Sequence, residues 1–390
     1  MTHARHYSAR ELIDRLVSFD TVSRNSNLAL IDFIEDYLAG HGVASRRVSN
    51  EDGTKANLFA TIGPAGRAGG IVLSGHTDVV PVDGQDWASD PFEVSERDGR
   101  LYGRGTSDMK SFIALGLAAL PDFLARELQV PIHFALSYDE EVGCLGVRPM
   151  IDEIIRGLPR PQAVIVGEPT MMKVINAHKS IHSFHTTVTG LEAHSSATDE
   201  GVNAIAYASE LIGFLNQLAD EMRARGDKSG RFQPPFTTLS IGVILGGTAV
   251  NIIPRKCTFS WEYRCVPDQD PDEILTRFTD YARTRILPRM KAVSPDAHIE
   301  TILRAASPGL RAEDGSSAET LVLKLARQNA TEAVSYATEA GLFQIADIPT
   351  VVCGPGDIAQ AHKPDEFIEL SQIAACEAFM QRLAAFAHGD

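Results

Sequence analysis

No stretch of the 390-residue sequence approaches the ~18–20 uninterrupted apolar residues that span a bilayer, and residues 1–10 hold no apolar run of the kind a secretory signal needs. A membrane-embedded protein and an exported one are both disfavoured. Cysteine is scarce and has no pairing pattern: Cys144, Cys257, Cys265, Cys353 and Cys376 are odd in number and never spaced C-x-x-C. That argues against a disulfide framework and a thiolate zinc site, and a reducing cytoplasm is the expected compartment. Basic residues are in deficit, 36 Lys+Arg against 51 Asp+Glu for a formal charge of −15, so neither nucleic acid nor an anionic membrane is expected as a partner. Signatures of other enzyme classes are missing too. There is no phosphate loop and no G-x-S-x-G elbow, and segment 103–108 begins like a dinucleotide fingerprint but carries Asp108 where the third glycine belongs.

What is present is a globular α/β pattern. Ser8 and Glu11 form a capping-box spacing, and Leu28, Ile31, Ile34 and Leu38 recur at helical spacing before Gly40 and Gly42. Apolar runs of strand length follow at 57–62, 70–74, 132–137 and 163–166, with an apolar-rich helix over 111–128 that Pro121 should bend or split. Strands alternating with helices imply an α/β domain with a largely parallel sheet. The middle differs: a strand over 179–188, a helix over 203–225, strands over 236–244 and 250–265 joined as a hairpin at Gly246 and Gly247, a helix from Pro271 to about Ile286 and a strand over 298–305. That order is the ferredoxin-like one. After Ser307 the first pattern resumes, with a helix near 318–328, a strand over 349–353 and a closing helix after Ser371. One domain, 1–179 and 308–390, is therefore expected to be interrupted by another, 180–307.

Potential metal ligands recur just after the apolar strands. His76 and Asp78 follow the run at 70–74, Asp108 precedes the apolar helix, Glu140 and Glu141 follow 132–137, Glu168 follows 163–166, and His362 lies beyond 349–353. The carboxyl ends of strands in an open α/β sheet line one crevice, so these residues converge although far apart in sequence. Singly, each has an ordinary reading: Asp108 as a helix cap, residues 139–141 as a solvated acidic turn, Asp78 as a turn aspartate. Together, imidazole and carboxylate donors without cysteine suit hydrolytic divalent ions, two of which usually share a bridging carboxylate. Adjacent Glu140 and Glu141 point in different directions, so one can bind metal while the other moves protons. Asp78 could hold His76 through its other ring nitrogen.

The ordered set Ser74-Gly75-His76-Thr77-Asp78, Gly103-Arg104-Gly105-Thr106-Ser107-Asp108, Asp139-Glu140-Glu141-Val142-Gly143, Gly167-Glu168-Pro169-Thr170, and Gly354-Pro355-Gly356 through His362-Lys363-Pro364-Asp365-Glu366 resembles the dinuclear zinc M20 peptidase and deacylase family over nearly the whole chain. The resemblance implies a zinc-exopeptidase-like catalytic α/β domain interrupted by a ferredoxin-like α+β domain that serves as lid and dimerises. It implies two divalent ions per subunit, Zn(2+) first and Co(2+) as an alternative: His76 and Glu168 on one, Glu141 and His362 on the other, Asp108 bridging. Glu140 matches the general base and Asp78 the support for His76. His194 matches a lid histidine that reaches the partner subunit's site in a homodimer; its other reading is an ordinary strand-end histidine in a region that also holds His178, His182 and His185. Asn251 and Arg264 resemble lid residues that hold a substrate carboxylate, with Glu262 where the family often has aspartate. The expected substrate is a small N-acyl amino acid. Segment 336–344, with Glu339, is similar to members acting on N2-acetyl-L-ornithine, and Glu339 would either pair with the substrate's ammonium or brace a loop.

Overall fold

The computed structural model describes residues 6–390 and divides into two compact units. The first runs to Ala177 and resumes over Ala312–Glu332 and Thr338–Asp390; the second is His178–Arg311 with Ala333–Ala337. The divisions thus fall two and four residues outside the boundaries expected from sequence, and a short later segment also joins the second unit.

The first unit is built on a sheet with strands in the order Ser45–Ser49, Ala56–Ile62, Ile132–Ser137, Ile71–His76, Ala163–Pro169, Thr350–Gly354 and Ile175–His178. Its four middle strands, 132–137, 71–76, 163–169 and 350–354, run parallel. They are buried throughout. A strand covered on both faces has no polar side to alternate with, which is why these segments read as continuous apolar runs. The helices Lys110–Ala118 and Ser317–Ala326 pack against these strands, and Ala9–Val17, whose capping box is present with Ser8 accepting from Glu11, and Leu370–His388 join the same core. The segment at 111–128 is indeed split, into Lys110–Ala118 and Leu120–Leu124, with Pro121 in the first turn of the second helix, where its missing N–H costs nothing. Three short strands, Ser95–Arg97, Arg100–Tyr102 and Phe367–Glu369, make a separate small sheet.

The second unit has a four-stranded antiparallel sheet in the order Thr238–Gly246, Lys256–Arg264, Ile181–Thr189, His298–Ser307, with the 22-residue helix Ala204–Arg225. Strand, helix, strand, strand, helix, strand in this spatial order is the ferredoxin-like arrangement. Its core is aromatic, with Phe184, Phe259, Trp261, Tyr263 and Phe278 buried together. One expectation fails here. The hairpin's second strand begins at Lys256 rather than Val250, and residues 247–255 form a loop: Pro254 cannot donate to a ladder and Val250 is fully exposed.

Candidate metal centre

Because the four middle strands are parallel, their carboxyl ends meet at one sheet edge. His76 is the last residue of its strand and pairs in register with Ser137, three residues before Glu140. Glu168 is the last residue but one of the strand on the other side, and the chain leaving Gly354 reaches His362 eight residues later. Asp108 arrives from the loop before Lys110–Ala118.

These residues form two triads of possible ligands that share one carboxylate: His76, Asp108 and Glu168, and Asp108, Glu141 and His362. Asp108 presents a different oxygen to each histidine, Oδ1 lying 3.0 Å from His76 Nε2 and Oδ2 lying 3.3 Å from His362 Nε2. His76 Nε2 is 3.6 Å from Glu168 Oε1, and His362 Nε2 is 3.0 Å from Glu141 Oε2. Donors about 2.0–2.2 Å from a tetrahedral zinc ion stand roughly 3.3 Å apart, so the spacing of both triads fits such an ion. The donor set is nitrogen and oxygen only, which suits zinc or cobalt.

The electrostatics agree with that fit. Burial, reinforced by the charges of Glu141, Asp108 and Asp78, pushes the Glu140 carboxyl up to about 8. Burial and the charge of Asp108 push Glu141 up to about 7, and burial with Asp108 raises Glu168 as well. Burial works against the ionised form of Asp108 too, but hydrogen bonds from His362 and His76 hold it below the usual carboxylate range. Its own bonds to Asp108 and Glu141 raise His362 to about 10. Burial opposes a charge on His76, yet Glu168 and Asp108 overcome it and raise its pKa. Several carboxyl groups are thus packed around two imidazoles, whose raised pKa values partly compensate them. Dications would take over that compensation and release the imidazole protons.

Asp78 acts differently from the expectation. Its side chain is 3.6 Å from His76 Nδ1, beyond a direct hydrogen bond; the ring instead meets the Asp78 backbone carbonyl at 2.9 Å. Donation to that carbonyl leaves Nε2 free as an acceptor of metal. The Asp78 carboxylate accepts from Glu140 N at 3.1 Å, Glu141 N at 3.3 Å and Ser23 Oγ at 2.7 Å. It therefore fixes the turn that carries the two glutamates. Sequence reasoning missed this, along with Ser23 and with Cys144, whose thiol donates to Glu140 Oε1 at 3.2 Å. No motif spacing signals either contact.

Glu339 also departs from the first of its two readings. It is 1% exposed, and its two oxygens accept from Ser74 Oγ at 2.5 Å and Ser137 Oγ at 2.8 Å. A carboxylate so enclosed does not reach a substrate ammonium; it braces the strands that end in His76 and Ser137.

His194, Asn251 and Arg264 all lie in the second unit. His194 is exposed, bonds Ser196 Oγ through Nδ1 at 2.7 Å, and bridges to Ile252, while Ser195 N donates to the Asn251 carbonyl at 3.1 Å. His194 and Asn251 are therefore neighbours. Arg264 is not with them: it ends the strand Lys256–Arg264, whose start follows the Asn251 loop, and its Nε contacts Glu262 at 3.1 Å. At about 3.3 Å per residue that strand alone is roughly 26 Å long.

A parallel α/β sheet presenting two carboxylate-bridged ligand triads is the architecture of a metal-dependent hydrolase, and the chain belongs to the peptidase family M20/M25/M40, whose model matches residues 72–385. A protein from Myxococcus xanthus named acetylornithine deacetylase is 35% identical over 381 residues, 96% of each chain. One of the same name from Proteus mirabilis is 36% identical over 369 residues, 93% of this chain and 91% of its own. Among solved structures, the M20 family metallo-carboxypeptidase Sso-CP2 from Sulfolobus solfataricus superposes with a TM-score of 0.77 at 16% identity, covering 97% of this chain and 98% of that one.

Proposed function

We propose that this chain is a two-ion amide hydrolase that converts N2-acetyl-L-ornithine and water to L-ornithine and acetate in arginine biosynthesis. The observation that carries the chemistry is the pair of triads joined through Asp108 with Glu140 beside them. The substrate choice rests on the near full-length relatives named acetylornithine deacetylase. Glu339 no longer supports it, being enclosed by two serines. Zn(2+), or Co(2+) in its place, is the proposed ion and the cytoplasm the proposed compartment. Among the described residues no helix is long and apolar enough to cross a membrane.

Two dications, when bound, supply Lewis acidity toward the scissile carbonyl and the attacking water. Glu140 takes the proton of that water as it adds to the acetyl carbon. Its carboxyl, raised in the ion-free protein, is drawn back by nearby cations toward the range where it can accept a proton and return it. The same proton passes to the ornithine nitrogen as the C–N bond breaks. Asp78 holds Glu140 and Glu141 in place through their backbone amides. Release of amine from N2-acetyl-L-ornithine by zinc-loaded protein tests the reading, and succinyl and formyl amino acids in the same assay show whether another acyl group is preferred.

The separation within the second unit supports a homodimer. His194 and Asn251 stand too far from Arg264 for one small substrate to touch all three in one copy, so two copies are proposed to share each site. The edge strands Thr238–Gly246 and His298–Ser307 expose Val243, Leu245 and Leu303, the apolar surface such a pairing would cover. His194→Ala and Glu140→Gln proteins, each nearly inactive alone, should recover about a quarter of wild-type activity when subunits are exchanged, one intact site in each mixed dimer. Activity that stays flat on mixing would rule out the shared site.

A further inference from the structure

The sequence motif that ends in Glu366 assigns that residue no task, yet it is among the most enclosed acids of the first unit, 1% exposed and paired with an equally buried Arg104 at 2.7 Å. Its position follows from the small three-stranded sheet. Phe367 pairs with Tyr102, so the next residues outward, Glu366 and Gly103, also face each other, and Gly103 N donates to the Glu366 carbonyl at 2.9 Å. The side chain is thereby held under the loop that delivers Asp108.

There its two oxygens serve two ligand arms. Oε1 accepts from the backbone amides of Gly105 at 3.1 Å, Ser107 at 2.8 Å and Asp108 at 3.1 Å. Three N–H groups converging on one carboxylate oxygen fix the loop in the shape that aims Asp108 at both histidines. Oε2 holds the Arg104 guanidinium. Arg104 in turn donates to the Lys363 carbonyl at 3.3 Å and to Gln85 Oε1 at 2.6 Å, while Gln85 Nε2 donates to the His362 carbonyl at 2.9 Å. The network thus joins the bridging carboxylate to the backbone that bears His362.

We infer that Glu366 is a positioning residue that couples the two metal positions, fixing Asp108 directly and His362 through Arg104 and Gln85. The inference rests on the two-ion reading above. The two positions differ in their other supports. His76 and Glu168 lie within the last two residues of buried strands, whereas the His362 side chain is 54% exposed and sits on a connection after a strand. Loosening the network should therefore release the ion of the Glu141–His362 position first.

The test is Zn(2+) binding to chelated and re-purified protein, read by calorimetric titration and metal content, for wild type, Glu366→Gln and Gln85→Ala. Glutamine preserves shape but turns an amide against Arg104; Gln85→Ala cuts the link to His362 without leaving a buried charge. Both variants should keep one ion at near wild-type affinity and bind the second about 10–100-fold more weakly, the usual cost of losing a partner behind the ligands. Gln85→Ala, which takes one acceptor from Arg104 and one from Trp87, should do so with only a small fall in melting temperature, and it decides the matter if Glu366→Gln fails to fold. Two ions bound as in wild type by Gln85→Ala, or a lower melting temperature with both affinities intact, would overturn the inference. A wild type that binds fewer than two ions would instead overturn the two-ion reading itself.

Discussion

Glu140→Gln should reduce kcat on N2-acetyl-L-ornithine by about 10³-fold, within the 10²–10⁴ range typical of a lost general acid–base group, while two ions remain bound. The separation of these two effects is what the structure adds. Glu140 belongs to neither ligand triad, although it adjoins Glu141, which belongs to one. Its backbone amide, not its side chain, is held by Asp78 at 3.1 Å, so the turn survives the change. Glutamine can still accept from Cys144 through its amide oxygen, but it cannot take a proton from water or hand one to the departing nitrogen. Loss of ions in parallel with activity would show that Glu140 is a ligand and that another group is the base.

Asp108→Ala should have the larger effect, on the order of 10⁴-fold or more, since losing several kcal/mol of ion-derived stabilisation costs a factor of ten for each ~1.4 kcal/mol. Both triads lose a donor at once, because the two oxygens of one carboxylate face the two histidines. Chelation of wild type should mimic the variant, with one difference: added Zn(2+) or Co(2+) should restore the chelated wild type and leave Asp108→Ala inactive. The crowding of Glu141 and Glu168 makes the ion-free state costly, as their raised pKa values show. A variant that keeps most of its activity would mean that Asp108 does not bridge.

Much of this was legible in the sequence, for identifiable reasons. Strands buried on both faces announce themselves as unbroken apolar runs, and in a parallel sheet their ends must converge, so His76, Asp108, Glu141, Glu168 and His362 could be grouped before any geometry was known. The three-residue strands at 95–97, 100–102 and 367–369 are too short to show alternation, and with them the placement of Glu366 was hidden. The helix Val147–Gly157 starts at Gly146 without a side-chain cap and carries Pro149 in its first turn; the burial of Val147, Met150, Ile151 and Ile154 stabilises it instead. Glu339 was readable as important but not as enclosed, because its partners Ser74 and Ser137 are 265 and 202 residues away. The separation of Arg264 from Asn251 was legible, since the strand expected over 250–265 already put them at opposite ends; Pro254 only moved its start to Lys256.

The most direct measurement of the central claim is amine release from N2-acetyl-L-ornithine by chelated protein as Zn(2+) is added stepwise. The account expects no turnover without ions, full turnover as the second equivalent binds, and kcat/KM for this substrate above those for succinyl and formyl amino acids. Turnover that persists in the chelated protein, or a zinc-loaded protein that leaves N2-acetyl-L-ornithine intact, would contradict it.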